Sequence, residues 1–217
     1  SPQILENSSK RRVVTDQIKR SGAKSNRSVL TIGQEADIIQ NKSMRPMIVW
    51  GNNYGNIGGV VECLKKLEME ELRITILKST TQQAFRNELA NLRPSGNIRR
   101  ILVVPHDRAW DHDWVSQAMR SRIVKNGIVK VVFVGGAEKI ASWVGTDKEA
   151  RIEVDTISLQ PWRKSFISAI LHYGLVNDPD NKTNELFDIT GGWSRLIDPA
   201  IGEKANNKTV DDAIQKL

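Results

Sequence analysis

The sequence predicts a doubly wound α/β domain followed by a small helical subdomain, and two observations carry that prediction. Between residues 46 and 157, five short β-rich runs, most of them rich in Val and Ile, alternate with stretches of helical apolar spacing. After Gln160 the strand signal does not return. Strands separated by helix-length connections need crossovers, hence a parallel sheet covered on both faces. Right-handed crossovers then make the sheet doubly wound. With 217 residues, 39% of them hydrophobic, the chain is long enough to bury a sizeable core as one domain with a small appendage.

The elements follow in order. Residues 1–28 carry Lys10, Arg11, Arg12, Lys19, Arg20, Lys24 and Arg27 against Glu6 and Asp16 only. Polar and poor in apolar residues, they read as a weakly ordered basic arm with one short helix around Val13–Lys19. Pro46–Gly51 is the first strand. Arg73–Leu77, Arg100–Val104, Val129–Val134 and Ile152–Ile157 are the next four. Between them, Val60, Val61, Leu64 and Leu67 make one apolar stripe and Ala84, Phe85, Leu89 and Leu92 a second. Trp114, Ala118, Met119 and Ile123 make a third, and Ile140, Trp143 and Val144 a short fourth. Beyond Gln160, helices are predicted over Trp162–Leu171, Thr183–Ile189 and Trp193–Ile197, then over Asn206–Leu217 with Thr209 as cap. The predicted organisation is an arm and lead-in over 1–45, an α/β core over 46–160 and helices over 161–217.

Composition narrows the class. The single cysteine, Cys63, excludes an internal disulfide framework and a cysteine zinc cage, and reads as a small buried hydrophobe on the first helix. No apolar run approaches the roughly 18–20 residues of a membrane span, and no charged-then-apolar leader opens the sequence. A cytoplasmic protein without a membrane partner is the expectation. The net charge of +7 is basic, though moderate for a dedicated nucleic-acid binder.

The sharpest feature is the loop after the first strand: Gly51, Asn52, Asn53, Tyr54, Gly55, Asn56, Ile57, Gly58 and Gly59. Glycines there let backbone N–H groups approach an anion at a helix N-terminus. The spacing is G-x-x-x-G-x-x-G rather than the dinucleotide fingerprint G-x-G-x-x-G, and strand two is followed by Lys78 rather than a ribose-binding acid. A short-chain dehydrogenase is disfavoured too, since neither Tyr54 nor Tyr173 has a lysine four residues on. Against G-x-x-x-x-G-K-[ST] counted from Gly51, the closing glycine becomes Asn56, the lysine Ile57 and the hydroxyl residue Gly58. The placement is that of a P-loop, but Ile57 cannot neutralise phosphates and Gly58 offers Mg²⁺ no side-chain oxygen. Two readings stay open: a loop of P-loop ancestry that binds triphosphate poorly, and a purely structural turn.

The strand count and several later motifs resemble the STAND-type P-loop NTPases, AAA+-related switch ATPases of bacterial signalling and defence. The resemblance covers roughly residues 29–200. Ser28–Ile39 resembles the segment before the P-loop strand, and Val131–Phe133 with Trp143 the fourth strand and its helix. Leu159, Gln160, Pro161 and Trp162 resemble the start of the helical lid. Thr190, Gly191, Gly192 and Trp193 resemble the lid element that reads T-G-G-W-P. The resemblance implies a five-stranded parallel P-loop NTPase-like sheet of order 5-1-4-3-2, a C-terminal helical lid, and nucleotide at the C-terminal edge beside strand one. The family's P-loop lysine falls on Ile57, its acidic pair after strand three on Pro105 and His106, its polar residue after strand four near Gly135, and its lid proline on Ser194. Four departures together imply an NTPase-like fold without NTPase chemistry: a pseudo-ATPase with weak ATP or ADP affinity at most.

Other residues compete for attention. His106, Asp107, Asp111, His112 and Asp113 cluster beyond strand three, at the edge of an α/β sheet where ligands bind, and suit a divalent metal or a general acid–base pair. Arg108 amid them argues against this, and Asp111 or Asp113 reads equally well as a helix N-cap. His172 suits a helix C-terminus. Trp50, Trp143 and Trp162 are expected in the core or at the core–lid boundary. Trp110, Trp114 and Trp193 could serve an interface, with core the better expectation.

The leading functional expectation is a non-catalytic regulatory module acting through a protein partner in antiviral defence or signalling. The alternatives are a nucleic-acid-associated protein using the basic arm, and a metal-dependent hydrolase using the His/Asp loop.

Overall fold

The computed structural model describes residues 30, 32–41, 43, 45–52, 54–94, 96–146, 154–201 and 206–216. The basic arm and its short helix therefore lie outside the described residues. Helix α1 (Ile32–Gln40) leads into β1 (Met47–Gly51), α2 (Ile57–Lys65), β2 (Leu72–Ile76), α3 (Gln82–Asn91) and β3 (Arg99–Val104). Helices α4 (His112–Arg120) and α5 (Arg122–Lys125), strand β4 (Val129–Gly136), α6 (Ala137–Thr146) and β5 (Asp155–Ser158) complete the α/β part. Helices α7 (Lys164–Tyr173), α8 (Pro179–Thr190), α9 (Ser194–Ile201) and α10 (Asn207–Lys216) follow.

The five strands form one parallel sheet of order β2-β3-β4-β1-β5, which is the predicted order. Burial along each strand follows its place. β4, at the centre, is buried at every position, whereas edge strand β2 alternates buried and exposed residues. Alternation sends Val49, Val103 and Val132 to one face, under α1 and α2, and Ile48, Val104 and Phe133 to the other. On that second face Phe85 stacks on Trp114 at 5.1 Å and Trp110 meets Phe133 at 5.1 Å. Trp110 and Trp114 are thus core residues, 2% and 4% exposed, and Cys63 is buried.

The third apolar stripe is not one helix. Ser121 adopts an extended conformation and ends α4, and its carbonyl then accepts from the N–H groups of Val124 and Lys125 to start α5. The last strand is shorter and later than predicted, at Asp155–Ser158. The cap of α10 is Asn206 rather than Thr209. Asn206 Oδ1 accepts from Thr209 N–H at 3.0 Å, and Thr209 Oγ1 accepts in return from Asn206 N–H at 3.1 Å. Thr209 is the third residue of the helix and closes the reciprocal box.

Part of the lead-in belongs to the core. Leu30 and Ile38 are fully buried beneath the sheet, because α1 covers the β1 face. The stretch joining α1 to β1 is pinned by Arg99, whose Nη1 donates to Ile39 O and whose Nη2 donates to Asn41 O at 3.0 Å. Lys130, 7% exposed, donates to Asp155 Oδ2 at 3.0 Å and to Ser43 O at 3.2 Å. Helices α7 to α10 enclose a separate apolar cluster built on Trp162, Phe166, Ile170, Leu186, Ile197 and Val210. Among the described residues no helix is long and apolar enough to cross a membrane.

Candidate functional site

The glycine loop leaves β1 at Gly51 and enters α2 at Ile57. Asn52 organises its first half: Oδ1 accepts from the N–H groups of Tyr54 and Gly55, each at 3.0 Å. Such an Asx turn substitutes a side-chain carbonyl for a backbone one. Asn56 organises the second half as N-cap of α2, with Oδ1 accepting from Gly59 N–H at 3.1 Å. Ile57 N–H donates to Gly55 O at 2.9 Å, and Asn56 N–H donates to Ser194 Oγ at 3.3 Å. The amides of residues 54, 55, 56, 57 and 59 are therefore all matched to acceptors in this chain. A phosphate cradle aims such amides at the anion instead.

The glycines have a second occupant to accommodate. A Cβ at Gly51 would lie 2.8 Å from Leu159 Cδ1, and one at Gly55 would lie 3.3 Å from the same atom. Leu159 follows β5, donates its N–H to Trp50 O at 2.7 Å, and is buried. Its side chain thus packs against the inner side of the loop. On the other flank the His106 ring lies 3.6 Å from where a Cβ on Gly58 would sit.

Helix α9 closes onto the loop from the helical part. Ser194, buried at its first position, supplies the hydroxyl that takes Asn56 N–H, and Arg195 N–H donates to Tyr54 O at 3.1 Å. The turn before it is fixed by Gly192, at φ +81°, whose carbonyl accepts Trp162 N–H at 2.7 Å. A Cβ on Gly192 would lie 2.3 Å from Trp162 O, so this position requires glycine on both grounds. The two sequence motifs, Leu159–Trp162 and Thr190–Trp193, are thereby brought into direct contact.

Ile57 is partly buried and packs into the core, Pro105 is buried, and His106 is exposed. Arg108 pairs with Asp107 at 3.3 Å. Lys139, just after β4, donates to Trp110 O at 2.6 Å and lies 5.2 Å over that ring, which itself donates to Val134 O. Gly135 is held by the same packing, since a Cβ there would meet Trp110 and Lys139. A triphosphate with Mg²⁺ needs a lysine, a hydroxyl and a carboxylate here. The residues at those positions do not fit it.

The His/Asp cluster is split. Asp111 is the N-cap of α4, accepting from Asp113 and Trp114 N–H groups. His112 faces Ser116, with Nδ1 3.4 Å from Oγ, and lines a groove between α3 and α4, whereas His106 faces the glycine loop. Among the described residues no group of three His, Cys, Asp or Glu could hold a metal ion. His172 approaches Asp180 at 3.4 Å near the end of α7. Asn53, the cations of residues 1–28 and the Trp143 side chain lie outside the described residues. Sequence reasoning expects Ser194 at this site in the lid-proline position and Leu159 in the lid-start motif, but not the Ser194 hydroxyl as acceptor for Asn56 or the Leu159 side chain as packing for the loop. Two clefts flank the sheet, of 460 Å³ between α3 and α4 and 570 Å³ beside α1 and β5, and neither is lined by the glycine loop.

No protein-family model matches the sequence, and neither does any curated protein. Solved structures do. A chain of the E. coli MS115-1 HORMA:CdnC:Trip13 complex aligns with a TM-score of 0.50 at 13% identity, over 83% of this chain and 77% of that one. The Aeropyrum pernix ORC2 protein aligns at 0.48 and 7% identity, over 84% of this chain and 65% of that one. The Thermotoga maritima RuvB branch-migration motor aligns at 0.43 and 12% identity, again over 84% and 65%. This chain thus spans just under two thirds of the last two. Together with the sheet order, the first alignment gives the chain a P-loop, AAA+-like fold, and at these identities the likeness is one of fold alone.

Proposed function

We propose that the chain is a non-catalytic, STAND-like regulatory module that works by contact with a protein partner, in a bacterial defence or signalling system. The single observation that carries this reading is the pairing of loop amides 54, 55, 56, 57 and 59 with acceptors of the chain itself. Phosphoryl transfer is catalysed almost entirely by positioned donors, cations and metal. A loop that keeps the strand–loop–helix placement while spending its donors internally is a scaffold without that chemistry. Ile57 in the lysine position and Ser194 in the lid-proline position point the same way. For the partner, support comes from the E. coli structure, in which a protein of similar fold is found in a complex with HORMA and CdnC.

The test is phosphate release from Mg²⁺-ATP by the full chain. No turnover above buffer is expected. Turnover that Gly55→Val abolishes, in a variant whose circular dichroism matches the parent, would overturn the reading.

A further inference from the structure

The groove between α3 and α4 has no role in anything described above. It encloses 460 Å³, and its lining combines Arg86 and Gln82 from α3 with His112, Gln117 and Arg120 from α4. Leu89 and Ala90 supply an aliphatic wall, and Ser116 and Ser121 add hydroxyls. Arg86 and Arg120 are exposed, and neither has an ion pair or hydrogen bond among the described residues. One carboxylate, Asp113, shares the lining, 75% exposed and nearest His112. The groove therefore presents two guanidinium groups that no described residue pairs with. A second observation is independent of charge: Gln117 Oε1 is buried and has no hydrogen-bond partner. An orphaned buried acceptor is a standing destabilisation that a donor would relieve.

We infer that the α3–α4 groove is a docking site for an extended acidic segment of a partner protein. Carboxylates are the anions that guanidinium forks hold bidentately, at Arg86 and Arg120. A peptide backbone also brings N–H donors that would serve Gln117 Oε1 once that amide turns from its buried position toward the groove. Nucleic acid is disfavoured because no Phe, Tyr or Trp lines the groove for base stacking. The inference does not depend on the glycine loop, so a nucleotide-binding result of either sign leaves it standing.

The experiment is fluorescence anisotropy of the full chain with fluorescein-labelled octapeptides of alternating Glu and Leu, and with a twelve-nucleotide single-stranded DNA. Arg86→Glu/Arg120→Glu is compared with the off-groove control Lys78→Glu/Lys208→Glu, which changes net charge equally. Peptide binding weakened at least tenfold by the groove pair and much less by the control is expected. So is recovery of the groove variant's binding with a Lys/Leu peptide of reversed charge, which guards against misfolding. Equal loss in both double variants, absence of peptide binding to the parent, or tighter binding of DNA than of peptide with the same Arg86/Arg120 dependence would each overturn the inference.

Discussion

Gly51→Ala is the perturbation whose effect the structure sets most directly. An alanine Cβ would lie 2.8 Å from Leu159 Cδ1 and 3.1 Å from both Cβ and Cγ of that residue. Carbon pairs prefer about 3.5–4.0 Å, so the Leu159 side chain must retreat by roughly 0.7 Å. Rotation at the tip cannot supply this, because Cβ is itself too close, and Leu159 N–H is held at 2.7 Å from Trp50 O. Overpacking of this kind costs about 1–3 kcal/mol. For a chain of this size about 2 kcal/mol lowers Tm by roughly 4–8 °C. Leu159→Ala alone should cost about 2–4 kcal/mol through its cavity. The double variant should be no less stable than Leu159→Ala, giving a favourable coupling as large as the Gly51→Ala cost, about 1–3 kcal/mol, in a thermal and urea double-mutant cycle. Strict additivity, or a neutral Gly51→Ala, would refute the claim that Leu159 packs against the loop.

Two further predictions bear on the architecture. Gly192→Ala combines φ +81° with a Cβ 2.3 Å from Trp162 O, so it should lose more than about 3 kcal/mol and expose α7–α10 to limited proteolysis at temperatures where the parent resists. Asp155 is raised by burial, but hydrogen bonds and charge from Lys130, with further hydrogen bonds from Ser43 and Asn41, outweigh this and hold its carboxyl below the ordinary 3.8. The unfolded chain then binds more protons across that window, so the contribution is complete above about pH 5 and drains as pH falls through the folded pKa. Asp155→Asn leaves the buried Lys130 ammonium without its carboxylate, so it should destabilise the protein at pH 7 by about 1–3 kcal/mol and flatten the acid limb below about pH 4, read from urea midpoints between pH 3 and 7.

The sheet was legible because its signal is redundant. Val and Ile runs and helix-length connections point to a parallel, doubly wound sheet, whereas the strand order rests on the family resemblance. Boundaries were less legible, since they are decided by hydrogen bonds that composition does not encode. Ser121 stops α4 with no proline or glycine present, and Asn206 outcompetes Thr209 because the cap lies one residue before the helix begins. The lead-in reads only as the segment before the first strand, and that Leu30 and Ile38 are core residues is revealed by their place beneath β1.

The site was half legible. Substitution of the P-loop lysine by Ile57 is visible in the sequence, and so is the capacity of Asn52 and Asn56 for local hydrogen bonds. That Leu159 fills the space against Gly51 and Gly55 is a contact across 108 and 104 residues, and nothing local announces it. The approach of Ser194 to Asn56 is equally remote in sequence. The His/Asp cluster illustrates the reverse error. Five titratable residues within eight positions look like one site, but the turn before α4 assigns Asp111 to a cap and sends His106 and His112 to different surfaces.

The central claim is that this loop does not serve a nucleotide, and thermal unfolding of the full chain with and without millimolar ATP or ADP and Mg²⁺ tests it most directly. A ligand present at about 100 times its Kd adds roughly 2.7 kcal/mol, a shift of several degrees. The account predicts superimposable transitions. A Mg²⁺-dependent upward shift that Gly55→Val removes would contradict it, and would mean that the amides now paired with Asn52, Asn56 and Ser194 can turn to a phosphate.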